Sequence, residues 1–221
     1  MQRVPEPELM DDPEQARAYA EADFTEANDL FVRLFRELVG GGSLTGQVVD
    51  LGCGPADIPL RLARVYPDLR FVLVDGSQAM LAHAQAIWAR AGLLGRAQML
   101  QASLPPRDPL PASPYDAVIS NSLIHHLRSP DPLWALLRSC GKPAAPVLVM
   151  DLRRPESRAE QEALVETYAA DAPSVLRRDF RNSLAAAFTL EEIRQQLENA
   201  GLAHLAVRAV SNRHLAVSGR L

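Results

Sequence analysis

Short apolar runs and longer stretches of helical periodicity alternate along the chain. Val48, Val49 and Leu51 around Asp50, then Phe71 to Asp75, Ala97 to Ala102, Tyr115 to Ser120 and Val147 to Met150 form the runs. Several are continuous and β-branched, the pattern of strands buried on both faces in a parallel sheet. Between them apolar residues recur every three or four positions. Leu30, Phe31, Leu34, Phe35 and Leu38 make one such stripe. It belongs to a helical region opened by Asp12 as N-cap and Pro13, broken near Thr25 and stopped at Gly40-Gly41-Gly42. Residues 1–12, rich in proline and acid, read as an extended lead-in.

Further helices are predicted over Ala56 to Tyr66, with Pro55 near the first turn, and from the Ser77 cap to Gly92. Asp131-Pro132 opens another, with Leu133, Leu136 and Leu137 inward, and Gly141 closes it. Thr189 and Glu192 form a capping box for a last helix that stops at Gly201. Leu205 to Val210 and His214 to Ser218 are a closing strand pair around the turn Ser211-Asn212. Strand and helix alternate, with an antiparallel pair at the end. That order predicts a doubly wound, Rossmann-like α/β sheet.

Composition narrows the class. A chain of 221 residues with 48% hydrophobic and 23% charged residues suits one α/β domain with modest insertions. A net charge of −4 gives no footprint for nucleic acid or an anionic membrane. Cys53 and Cys140 offer neither a disulfide framework nor zinc spacing. No run suits a membrane span or a signal peptide, so a cytoplasmic protein is expected.

The chemistry centres on Gln47 to Asp57, read Q-V-V-D-L-G-C-G-P-A-D. Gly52 and Gly54 permit a tight turn and close approach of a ligand. A phosphate cradle needs clustered amides and no neighbouring negative charge. Here Pro55 removes a donor, Asp50 and Asp57 add carboxylates, and no Lys follows the glycines. The third glycine of a dinucleotide fingerprint would fall at Asp57. A ligand with a cationic ammonium and sulfonium and no phosphate suits these acids better, and S-adenosylmethionine is such a ligand.

The string D-L-G-C-G resembles motif I of the class I S-adenosylmethionine-dependent methyltransferases, and V-D-G-S-Q-A-M-L at Val74 to Leu81 resembles motif II. The resemblance covers roughly residues 44–150 by motif and 189–218 by order of elements. It implies the seven-stranded methyltransferase sheet, mostly parallel with an antiparallel last strand. It implies cofactor contacts from Asp50, Gly52, Cys53 and Gly54, with Cys53 read as a packing residue of the turn rather than a nucleophile. Asp75 would accept both ribose hydroxyls, a device NAD enzymes share. Gly76 and Met80 would line the adenine. Ser103 and Leu104 stand where the family commonly has an acid, and Ala56 replaces a glycine. Asn121 would meet the methionine part.

N-S-L-I-H-H-L after the fourth strand is similar to the small-molecule enzymes of the group, including those of ubiquinone and menaquinone synthesis. His125 or His126 would then orient the nucleophile or take its proton, with His125 expected nearer the methyl; packing and capping are the alternative. The N-P-P-Y motif of amino-group methyltransferases, an acid cluster for a metal and the thiols of arsenic enzymes are absent from the sequence. The implied activity is methyl transfer to a small molecule without a metal. A non-catalytic cofactor-binding regulator, or another use of the same cofactor, stays open.

Residues 1–43 are expected to form a helical cover, with Tyr19 reaching the cofactor, and 44–221 the binding domain. Residues 151–188 interrupt the alternation and hold Arg153, Arg154, Arg158, Arg177, Arg178 and Arg181. They read as a lid over the acceptor pocket or as a solvated helix pair whose acids neutralise the arginines.

Overall fold

The computed structural model describes residues 1–6, 13–111 and 113–221, without the side chains of residues 13–15. Seven strands form one sheet: β1 (Gly46–Leu51), β2 (Leu69–Asp75), β3 (Ala97–Gln101), β4 (Ala117–Asn121), β5 (Pro146–Leu152), β6 (Ala206–Ala209) and β7 (His214–Arg220). Their order is β3-β2-β1-β4-β5-β7-β6. The first five pair in parallel, while β7 runs antiparallel to both β5 and β6. The expected sheet and its antiparallel ending are therefore present. Chain order reverses direction on either side of β1, which opens a crevice at the carboxyl ends of β1 and β4.

Eight helices connect the strands among the described residues: α1 (Pro13–Glu21), α2 (Thr25–Val39), α3 (Asp57–Val65), α4 (Gln78–Arg90), α5 (Asp131–Cys140), α6 (Arg158–Ala169), α7 (Ser174–Ala186) and α8 (Leu190–Asn199). On one face of the sheet Phe31 and Phe35 of α2, Leu62 of α3 and Trp88 of α4 pack over Phe71. On the other, Trp134 and Leu137 of α5 and Ile193 and Leu197 of α8 pack over Val49 and Val147. Leu152, Leu164, Val165, Leu184 and Ala187 form a separate small cluster, so α6 and α7 are a helical hairpin with a core of their own.

Most boundaries follow the pattern, and the departures have local causes. The expected break near Thr25 falls at residues 22–24, where Asp23 Oδ1 accepts the Thr25 amide at 2.9 Å. The Asp12 cap lies outside the described residues. Helix α3 starts at Asp57 because Ala56 takes a left-handed φ of 58°. Pro55 thus belongs to the turn rather than the helix. Trp88 Nε1 donates to the Ala56 carbonyl at 3.1 Å and fixes that residue from α4. Strand β4 begins two residues late; Tyr115 makes only an isolated bridge to Gly141. The Thr189–Glu192 capping box forms as read.

Residues 1–6 are not a free lead-in. Val4 donates its amide to the Ala185 carbonyl at 3.0 Å. The Arg3 guanidinium donates to the carbonyls of Ala186, His125 and Leu127 at 2.6, 3.1 and 2.8 Å and stacks on Phe188. These bonds lay the segment against α7 and against a 3-10 turn, Ile124–His126. No helix among the described residues is long and apolar enough to cross a membrane.

Candidate functional site

A cavity of about 590 Å³ opens at the carboxyl ends of β1, β2 and β4, within the size range of small-molecule sites. Asp50, Gly52, Cys53 and Gly54 line it from the first turn, and Asp75, Gly76 and Met80 from the second. Ser103, Leu104 and Asn121 come from the turns after β3 and β4, and Tyr19 from α1. Of the two histidines only His126 reaches the lining.

The first turn is held by its own amides. Gly52 and Cys53 donate to the Val74 carbonyl at 2.8 and 2.9 Å, Ala56 donates to Cys53, and Gly54 donates to Asp75 Oδ2 at 2.8 Å. With Pro55 lacking an N–H, every donor between Gly52 and Ala56 is engaged within the protein. No cluster of amides is left to cradle a pyrophosphate. Gly52 (φ 75°) is closely covered, since a Cβ there would meet Leu123 at 2.8 Å. Gly54 (φ 53°) faces open space, where a ligand can approach the backbone.

Three carboxylates stand at the carboxyl ends of β1, β2 and β5. Asp50 is buried, and its Oδ1 has no hydrogen-bond partner. Burial, and secondarily the charge of Asp75, pushes its carboxyl well above the usual range. Asp75 Oδ1 accepts the Ser77 amide at 2.8 Å. Burial raises its pKa too, against the amides of Ser77 and Gly54. Asp151, at the end of β5, accepts from the amides of Ile124 and Leu152 at 2.6 Å each and meets His125 Nδ1 at 2.5 Å. Burial opposes ionisation of Asp151, but the charge and hydrogen bond of His125 prevail and its pKa is lowered.

The expectation that His125 lies nearer the methyl position is corrected by this geometry. His125 is buried between Asp151 and Glu6, with both ring nitrogens facing carboxylates. The 3-10 turn sets the two rings against each other, with centroids 4.1 Å apart, and it is His126 that faces the cavity. Cys53 is buried and its thiol pushed up by that burial, so it acts here as packing in the turn. Tyr19 stacks on Phe24 at 4.7 Å, and burial carries its hydroxyl to about 12. It remains a neutral wall residue.

Residues 151–188 contribute no lining residue. Helix α7 packs on α1 and on the 3-10 turn instead. The arginines meet acids: Arg153 with Glu160, Arg154 with Glu192, Arg177 with Glu166, Arg178 with Asp179 and Arg181 with Glu162. The segment is a helix hairpin whose arginines meet acids. Sequence reasoning missed Glu6, Leu123 and the role of Asp151. Only Asp151 carried a signal, as a third acid closing an apolar strand.

A family model described as "Methyltransferase domain" matches residues 48–146, which spans both glycine turns and the first four strands. Over that stretch the chain is similar to the S-adenosylmethionine-dependent methyltransferases. It is 32% identical over 148 residues to the release factor glutamine methyltransferase of Gloeobacter violaceus, covering 62% of this chain and 51% of that protein. It is 35% identical over 78 residues to the trans-aconitate 2-methyltransferase of Streptomyces avermitilis, covering 35% and 28%. The chain thus spans about half or less of the curated relatives it matches.

Solved structures share the fold of this chain. One is an S-adenosylmethionine-dependent methyltransferase from Aquifex aeolicus, with a TM-score of 0.67, 19% identity and coverage of 95% and 98% of the two chains. Another is the plantazolicin methyltransferase BpumL, solved with a triazolic substrate analogue and S-adenosylhomocysteine, with a TM-score of 0.68, 13% identity and coverage of 95% and 91%. The donor set fits the family's cofactor. Asp50 presents a buried carboxyl oxygen, Oδ1, without a hydrogen-bond partner, Gly54 leaves space, and the engaged amides disfavour a dinucleotide.

Proposed function

We propose that the chain transfers a methyl group to a small-molecule acceptor, with no metal required for the transfer itself. One observation carries this reading. A single cavity is lined by Asp75 at the end of β2 and by His126 after β4, with Tyr19 and Phe24 on the same wall. When bound, S-adenosylmethionine supplies a methyl group already activated on a sulfonium.

Each lining residue then has a separable task. Asp75 retains lone pairs for the ribose hydroxyls, since each oxygen accepts one loop amide. Met80 and Leu104 supply apolar surface for the adenine. Asp50 and Asn121 attract and orient the charged methionine end. Tyr19 and Phe24 exclude water, and His126 is the imidazole placed to touch an acceptor. Catalysis on this account rests chiefly on proximity and alignment, which can contribute about 7–11 kcal/mol without a strong base. Helix α7 braces α1 and the 3-10 turn, so residues 151–188 shape the acceptor side without entering it.

The cavity is closed on its α1 side, which favours a small acceptor over a folded nucleic acid. The test is to supply methyl-labelled S-adenosylmethionine with a metabolite panel, bulk cell protein and RNA. Label recovered in small molecules supports the reading. Label in protein or RNA contradicts the acceptor class, and binding with no transfer anywhere contradicts catalysis.

A further inference from the structure

Beside the cavity, Glu6 approaches the two histidines in a way the methyl-transfer reading does not use. Its Oε1 lies 3.5 Å from His125 Nε2 and 3.3 Å from His126 Nδ1. One ligand atom from each residue falls within 4.8 Å of the others. Nitrogen and oxygen ligands held at about 2.0–2.1 Å around a tetrahedral zinc stand roughly 3.3 Å apart. The observed separations from Glu6 match that edge.

The surroundings orient these atoms. Asp151 is fixed by the amides of Ile124 and Leu152 and, as an ionised carboxylate, accepts the hydrogen bond of His125 Nδ1 at 2.5 Å. That leaves the Nε2 lone pair of His125 facing the Glu6 carboxylate. Two electron-rich atoms at that distance repel unless a proton or a cation lies between them. A carboxylate behind a histidine is also the usual support of a metal-bound imidazole. Glu6 is placed by Ser183 Oγ, which donates to its Oε1 at 2.9 Å, and by the Val4 and Arg3 bonds next to it. With both imidazoles neutral, the carboxylates of Glu6 and Asp151 sum to two negative charges, which one divalent cation balances.

We propose that Glu6, His125 and His126 form a three-ligand site for a divalent transition cation of the zinc class, with Asp151 as the support of His125. Against the sequence expectation of no metal, this ion ties residues 1–6 to the 3-10 turn and borders the acceptor cavity through His126. The site goes beyond the methyl-transfer reading and does not include the cofactor residues at Asp75.

The test uses the untagged full chain, stripped with a chelator and titrated with Co²⁺ and then Zn²⁺, without cofactor or acceptor. The expected result is one Co²⁺ per chain with the intense visible bands of four-coordinate cobalt, displaced by Zn²⁺. Glu6→Gln and His126→Gln should each weaken binding at least about tenfold, and Asp151→Asn by roughly 10–100-fold. Retained S-adenosylhomocysteine binding by Glu6→Gln shows that this variant is folded and keeps the two proposals distinguishable. Absence of stoichiometric binding, pale octahedral bands, or affinity unchanged in both ligand variants overturns the site, and a proton then occupies the gap.

Discussion

Asp75 Oδ2 accepts the amide hydrogen of Gly54 at 2.8 Å, so the acid that closes β2 holds the glycine turn that follows β1. Its other oxygen accepts from Ser77 at the start of α4. One carboxylate therefore shapes both turns of the crevice while keeping acceptor capacity for a ligand.

Replacing Asp75 should accordingly do two things. Asp75→Ala removes charged hydrogen bonds worth roughly 1.5–3 kcal/mol to the ligand and frees the Gly54 amide. Affinity for S-adenosylhomocysteine should fall by at least tenfold, with a lower melting temperature even without ligand. Unchanged affinity would mean that the ribose is held elsewhere.

The two glycines of the turn should tolerate change unequally. Gly52→Ala places a Cβ in left-handed backbone and against Leu123 methyl carbons at 2.8 and 2.9 Å. Strain and overpacking together should cost about 2–4 kcal/mol. Gly54→Ala meets open space, so only the backbone term of about 1 kcal/mol applies. Urea unfolding of both variants measures the difference, and equal losses would contradict the packing at Gly52.

The fold was legible because its central strands are buried on both faces and its helices carry one-sided stripes, as at Phe31 and Phe35. The acids Asp50 and Asp75 stood out because charge at the end of an apolar strand is costly without a purpose. The order of His125 and His126 was not legible. The two rings lie 4.1 Å apart, and which one faces the cavity depends on Asp151, a partner 26 residues away. Glu6 and Arg3 left no signal at all, since their contacts lie more than a hundred residues off.

The histidines should separate by assay. With an acceptor in hand, His126→Ala should lower turnover while S-adenosylhomocysteine affinity stays nearly constant. His125→Ala leaves Asp151 buried without its partner and should cost stability, roughly 3 kcal/mol or more. A stable His125→Ala protein with lost turnover would reverse the assignment.

Acid sensitivity should trace in part to His214. It is buried on β7 beside Ser211 and Arg213, and burial lowers its pKa from 6.5 to about 4. The folded state therefore keeps the ring neutral while the unfolded state protonates it first. Its stability contribution is present above about pH 6.5 and is lost as pH falls towards about 4, by about 3 kcal/mol in all. Across that window the unfolding free energy of wild type should fall by about 3 kcal/mol relative to that of His214→Asn. Parallel curves would show that His214 does not titrate as described.

The most direct test of the crevice is titration calorimetry of S-adenosylhomocysteine and of NADH into the same protein. The engaged amides of Gly52, Cys53 and Gly54 and the unpaired carboxylate of Asp50 predict stoichiometric S-adenosylhomocysteine binding and NADH at least a hundredfold weaker. NADH binding as tightly as S-adenosylhomocysteine would contradict the account.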